Sequence, residues 1–349
     1  MLRKMTRQVK VGDKLIGGGS DITVQSMTNT KTADVYKTVE QIKEFEQAGC
    51  DIARVAVPDE AAARAVGEIK NKINIPLVAD IHFDYRLALI CMENGIDKIR
   101  INPGNIGSDD RVKKVSDMAK KLHIPIRIGV NGGSLEKNIL KKYGGATAEA
   151  LVESALYHAS LLEKFDFHDI VISLKASDVK TMIEAYTLAS EKTNYPLHLG
   201  VTEAGTYDIG VIKSSVGIGS LLSQGIGDTI RVSLTDNPVR EVESGIEILK
   251  SLGLKKGGVR FVSCPTCGRC KINLIDIANK VYNMVRGMDK DIKVAVMGCA
   301  VNGPGEAKDA DIGIAGGDGA ALLFKKGEII RKVKESEVLF ALKEEIEKL

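Results

Sequence analysis

Residues 263 to 270 read SCPTCGRC, and residues 298 to 307 read GCAVNGPGEA. Three thiols fall close together (Cys264, Cys267, Cys270), a fourth follows at Cys299, and Glu306 comes just beyond it. Thiols at this density are donors for zinc or for an iron–sulfur cluster. The spacing leaves three ligand sets open. All four cysteines together would make a closed zinc site. The CxxCxxC run resembles a ferredoxin-type cluster segment, without the usual trailing Cys-Pro. In the third set Cys270 stays outside and an oxygen ligand completes the site, holding one iron weakly enough to yield to substrate. Glu306 lies just past an NGPG sequence, and a tight turn there would bring it back towards Cys299.

A second set of chemical groups is spread through the first two thirds of the chain. Asp80 and His82, Arg100 and Asn102, Arg127 and Asn131, and Arg231 and Ser233 are each an even number of residues apart within a short β-prone run. Side chains alternate along a strand, so the members of each pair face the same side. Arg54, Lys175 and His198 lie in other such runs and Glu203 directly follows one, so nearly every run gains a polar group. Convergence of Arg54, Arg100, Arg127, Lys175 and Arg231 on one place implies a strongly anionic ligand, most simply a phosphate or diphosphate. Asp80, Glu203, His82 and His198 could orient hydroxyls or move protons. His123, His158 and His168 lack such company and are left out.

The elements that position these groups follow from the pattern of apolar residues. Runs at 21–27, 51–57, 76–82, 97–102, 125–131, 169–175, 196–202 and 228–234 each precede a longer stretch with helical spacing. Successive βα units of this regularity predict a TIM (β/α)8 barrel, whose active site lies at the C-terminal ends of the strands. GGGSD at 17–21 reads as a turn ahead of the first of these strands, and VGIGSLLSQGIGD at 216–228 as a close-packed helix start. KSLGLKKGG at 250–258 is a basic, glycine-containing linker, after which VRFVSC, IKVAVMGC, ADIGIAG and two helical patterns predict a small α/β domain. The expected division is a substrate-binding barrel over 1–255 and a metal-carrying domain over 259–349.

Composition excludes several classes. The 49 basic and 46 acidic side chains are interspersed, leaving a net charge of +3, and 4% of residues are aromatic with no Trp. Neither a basic footprint nor stacking platforms for nucleic acid are present. MLRKMTRQVK runs into no apolar segment, and no apolar stretch approaches a membrane span, so a soluble cytoplasmic protein is expected. Cys50 and Cys91 stand alone in apolar contexts, so the clustered cysteines point to metal or redox chemistry rather than a disulfide framework.

Taken with VADIHFD, IRINPGN, IRIGVNGGSL and VTEAG in the barrel, CPTC and GCAVNGPGEA closely resemble the 4-hydroxy-3-methylbut-2-enyl diphosphate synthases, iron–sulfur enzymes late in the non-mevalonate isoprenoid pathway. The resemblance covers essentially the whole chain, in the short two-domain bacterial form. It implies a [4Fe-4S] cluster on Cys264, Cys267 and Cys299, with Glu306 as fourth ligand and possible proton donor and Cys270 as a bystander. It implies a substrate, 2-C-methyl-D-erythritol 2,4-cyclodiphosphate, that suits the cationic mouth. Arg54, Arg100, Arg127 and Lys175 would bind the diphosphate, Asn102, Asn131, Arg231 and Ser233 would help to fix it, and Asp80, His82, His198 and Glu203 would meet the carbon skeleton. It also implies single-electron delivery from reduced flavodoxin or ferredoxin, and a homodimer. Two other classes fit parts of the sequence: a sugar-phosphate hydrolase or aldolase with a zinc-stapled second domain, and a non-catalytic iron–sulfur carrier.

Overall fold

The computed structural model describes residues 3–300, 305 and 307–349. It divides into two compact units, Met1–Lys255 and Lys256–Leu349.

In the first unit, parallel strands β3 (Thr23–Met27), β4 (Ile52–Ala56), β5 (Leu77–Asp80), β6 (Lys98–Ile101), β7 (Ile126–Asn131), β8 (Ile170–Lys175), β9 (His198–Leu199) and β10 (Thr229–Ile230) form one sheet in the order β8-β7-β6-β5-β4-β3-β10-β9. A parallel bridge between Ile172 and Leu197 joins its two edges and closes the barrel. Ile99, Ile101, Ile126 and Ile128 face outward into the apolar layer under the helices, so Lys98, Arg100 and Arg127, at alternate positions, face inward. Helices follow the strands: α1 (Val35–Gln47), α2 (Glu60–Lys70), α3 (Tyr85–Glu93), α4 (Asp109–Leu122), α5 (Lys137–Tyr143), α6 (Ala148–Glu163), α7 (Val179–Lys192), α8 (Tyr207–Ser223) and α9 (Pro238–Ser251). Many begin at a side chain that accepts a hydrogen bond from an otherwise unsatisfied backbone N–H: Asp34 for α1, Asp59 for α2, Asp178 for α7.

The last two barrel strands are shorter than their runs predict. Arg231 N still donates to Leu199 O at 2.9 Å, but beyond it the chain turns to a side chain for its bonding, Leu234 N donating to Glu241 Oε1 at 2.9 Å, and the ladder stops. The segment 216–228 is also corrected: it is the C-terminal half of α8 and the turn after it, not a helix start. Gly217 is there for packing, because a Cβ would stand 2.9 Å from Val201.

An antiparallel hairpin, β1 (Val9–Val11) and β2 (Lys14–Ile16), precedes the barrel. Its buried Val9, Val11 and Ile16 pack on Ile52, Val78 and Val171, near the starts of β4, β5 and β8. The hairpin therefore closes the N-terminal end of the barrel and leaves the other end for the site.

The second unit is a sheet in the order β11-β12-β13-β14-β15, formed by β11 (Arg260–Ser263), β12 (Lys293–Met297), β13 (Ile312–Gly317), β14 (Ala320–Lys325) and β15 (Glu328–Lys334). The first three strands are parallel and the last two antiparallel. Helices α10 (Leu274–Val285) and α11 (Val338–Glu347) bury their apolar faces on the sheet.

Candidate active site

The barrel mouth gathers charge because strand geometry forces it. Registers pair Asp80 with Arg100 and Arg100 with Arg127 on neighbouring strands. Arg100 Nη1 lies 3.2 Å from Asp80 Oδ1, and Nη2 donates to Gly129 O at 2.6 Å. A Cβ at residue 129 would stand 2.3 Å from Arg100 Nε, so the guanidinium needs glycine beneath it. Asn102 Oδ1 accepts from Gly129 N at 3.0 Å, tying β6 to β7. On the other side of Asp80, Arg54 Nε is 3.9 Å from Oδ2, and its guanidinium also contacts Met27 Sδ.

One carboxylate thus faces two buried guanidiniums, with more positive charge behind them. Burial pushes the Asp80 carboxyl up, but Arg54, Arg100 and Arg127 together outweigh it and hold it at about 2. Burial brings Arg54 down to about 10 against the pull of Asp80, and holds Arg127, Lys175 and Lys98 well below their usual values, with neighbouring cations adding to the effect. Arg127 donates from Nη1 to Ser173 Oγ at 3.3 Å. Its Nε and Nη2, Lys98 Nζ and His198 Nε2 are buried without a hydrogen-bond partner among the described residues. Buried donors in this state favour an anion that arrives with several acceptor oxygens.

Two recesses open at this end and share Asn131. One, of about 320 Å³, is lined by His82, Arg100, Asn102 and Asn131; the other, of about 550 Å³, by Asn131, Lys175, Thr202 and Glu203. His82 is exposed, with Nε2 3.9 Å from Asp80 Oδ2. Glu203 is exposed and holds a left-handed backbone (φ 53°), uncommon for a residue with a Cβ. His198 is fully buried on β9, its Nδ1 3.3 Å from Thr229 Oγ1, and burial with the nearby Arg127 and Lys175 keeps it neutral.

Arg231 stands apart in its bonding. Its Nε and Nη2 make a two-pronged pair with Glu241 at 3.1 and 3.0 Å, and Nη1 donates to Ser233 Oγ at 2.5 Å. Glu241 also accepts from Ser26 Oγ at 2.9 Å. Glu241 and Lys98 escaped the sequence reading. Lys98 shares the even spacing of Arg100 and Asn102 and could have been found by extending that pattern backwards; Glu241 sits on α9 in a charged helical pattern with no signal of burial.

In the second unit the parallel register of β11 and β12 pairs Ser263 with Val296, which carries Cys264 and Cys299 to the C-terminal ends of adjacent strands. Cys264 Sγ accepts from Gly298 N at 3.0 Å. The turn between them is closed by Cys270 N donating to Cys267 O at 3.0 Å. Cys270 Sγ turns to Ile272 O at 3.2 Å and packs against the core under α10. Among the described residues no three His, Cys, Asp or Glu side chains form a metal-holding group. Glu306 lies outside the described residues. The thiol donors, two on neighbouring strand ends and one on the loop between, are of a type that suits a thiolate-bound iron site.

A model of the GcpE TIM-barrel domain matches residues 6–246, and a model of the GcpE protein C-terminal domain matches residues 260–348. The chain belongs to the GcpE family. Among GcpE relatives, the 4-hydroxy-3-methylbut-2-en-1-yl diphosphate synthase (flavodoxin) of Clostridium tetani is 65% identical over 100% of both chains. The proteins of the same name from Ruminiclostridium cellulolyticum and Geobacillus kaustophilus are 63% and 59% identical, each over 99% of this chain and over 98% and 93% of their own lengths. Among solved structures, the dihydropteroate synthase of Yersinia pestis aligns at a TM-score of 0.51 and 10% identity, covering 70% of this chain and 98% of its own. A sialic acid synthetase from Leptospira borgpetersenii aligns at 0.51 and 12%, covering 82% and 99%. These likenesses speak for the fold of the GcpE chain. No helix among the described residues is long and apolar enough to cross a membrane.

Proposed function

We propose that this chain opens and dehydrates 2-C-methyl-D-erythritol 2,4-cyclodiphosphate reductively, as a cytoplasmic homodimer. The chain is a 4-hydroxy-3-methylbut-2-enyl diphosphate synthase, an oxidoreductase of isoprenoid precursor synthesis. The observation that carries the assignment of roles is the set of buried cations around Asp80, which asks for a ligand with several negative oxygens.

Arg54, Arg100, Arg127 and Lys175 take the diphosphate, and Asn102, Asn131, Arg231 and Ser233 fix its orientation. Arg231, already neutralised by Glu241, contributes direction more than charge. Two electrons and two protons enter, the ring carbon–oxygen bond to phosphate breaks, a carbon–carbon double bond forms, and the neighbouring hydroxyl leaves as water. The leaving phosphate oxygen gains negative charge as the ring opens, and the guanidiniums, already in place, stabilise it without reorganising. Asp80, His82, His198 and Glu203 face the carbon skeleton and its hydroxyls. Cys264, Cys267, Cys299 and Glu306 would hold a [4Fe-4S] cluster, with Glu306 the carboxyl that hands a proton to the departing hydroxyl. Such a cluster supplies electrons singly, and the relatives' names point to reduced flavodoxin as their source.

Anaerobically purified protein tests this reading. The expected result is about four irons and four sulfides per chain, a reduced signal that changes when the cyclodiphosphate is added, and turnover that depends on reduced flavodoxin. A colourless, zinc-containing protein, or turnover without reductant, would overturn it.

A further inference from the structure

His158, set aside in the sequence because it shares no β-prone run with the other polar groups, is buried on α6. Its Nδ1 lies 3.0 Å from Gly104 N, an obligatory donor, so Nδ1 accepts and the ring proton sits on Nε2. Nε2 lies 2.8 Å from Glu136 Oε1 and donates to it. Burial pushes the imidazole down, against the pull of Glu136, which favours the neutral ring that this bonding needs.

Those two partners belong to different loops. Gly104 is in the turn Pro103–Asn105 that follows β6, between Asn102 and Asn105. Glu136 ends the segment between β7 and α5, next to Leu135. Asn102, Asn105, Asn131 and Leu135 all line the smaller recess at the barrel mouth. The fit is close, because a Cβ at Gly104 would stand 2.6 Å from His158 Cε1. The imidazole occupies the space that a side chain on the turn would take.

We infer that His158 is a positioning residue for the substrate recess. Through Gly104 and Glu136 it clamps the loops that directly follow Asn102 and Asn131, and that carry Asn105 and Leu135, in the arrangement that receives the diphosphate. This rests on the function proposed above. An apolar residue would fill the same volume, whereas the neutral imidazole also offers an acceptor to one loop and a donor to the other. Loops held beforehand need not be ordered by the ligand, so the clamp acts on affinity more than on the chemical step.

The test combines kinetics with amide hydrogen exchange. His158→Ala should raise KM for the cyclodiphosphate about tenfold with kcat changed less than about twofold, and should speed exchange at Gly104. His158→Asn, whose side-chain oxygen can take the place of Nδ1, should restore most of the Gly104 protection and part of the KM. Glu136→Ala cuts the other arm at a partly exposed position, and should raise KM about threefold while leaving Gly104 protected. Unchanged KM and unchanged Gly104 exchange in His158→Ala would overturn the inference, whatever its melting temperature. If that variant does not fold, an unchanged KM in Glu136→Ala does so instead. The exchange readout needs no substrate, so inactivity of the wild type on the cyclodiphosphate would count against the functional reading and leave exchange to judge the clamp.

Discussion

Asp80 faces Arg54 and Arg100 at once, so its ionisation is coupled to the stability of the barrel. Its carboxyl sits at about 2 in the folded chain, below the ordinary 3.8. A depressed carboxyl contributes stability that is complete above its unfolded value and is lost as pH falls through the folded one. Asp80→Asn should therefore cost about 2 kcal/mol at neutral pH, and the gap to wild type should close as pH falls from about 4 towards about 2. Urea unfolding at a series of pH values checks this; a gap that stays constant down to about pH 3 would mean that the guanidiniums do not hold the carboxylate. Asp80, Arg100 and Asn102 could be placed in the sequence because the period of a strand converts spacing into direction. Lys98 obeys the same rule one step earlier and was missed, since a lysine near a strand start reads as solvated. Glu241 was beyond reach: it meets Arg231 from a helix, and only the packing of α9 on β3 brings them together.

At the scale of elements, alternation was strong where a strand is buried on both sides and bounded by a turn, which is why each barrel run contains a strand. Where side chains replace the ladder, as Glu241 does after β10, pattern gives no warning. Three hairpins among the described residues, β1–β2, β13–β14 and β14–β15, also escaped. In β14–β15 the signal was available: Lys326 and Gly327 both take positive φ between Lys325 and Glu328, the two-residue turn favoured by antiparallel strands. In β1–β2 only Val9, Val11 and Ile16 mark an apolar face, too short a pattern to separate from a loop. That hairpin provides a test of where the site lies. Ile16 is fully buried against the barrel floor, so Ile16→Ala should cost about 2–4 kcal/mol in urea unfolding. Because the mouth is at the opposite ends of the strands, KM for the cyclodiphosphate should stay within about twofold of wild type at temperatures where the variant is folded. A large rise in KM with little loss of stability would place the binding groups elsewhere.

At the scale of the molecule, each unit buries its own core. The barrel's apolar layer lies between its strands and helices, while Val281, Val294, Ile314 and Leu342 gather between the second sheet and its two helices. Separate cores favour separate cooperative transitions. Cys264 packs against the second core and sits at the end of β11, so a metal held there is coupled to that unit's folding. Anaerobic removal of iron by a chelator should therefore lower one calorimetric transition by at least about 5 °C, the size expected when a domain of this length loses about 1 kcal/mol. The other transition should move by less than about 1 °C. Binding of inorganic diphosphate, measured by titration calorimetry, should survive the treatment, because the cations that attract it belong to the barrel. A single transition that shifts as a whole, or loss of diphosphate binding with the iron, would show that the two units fold and bind as one.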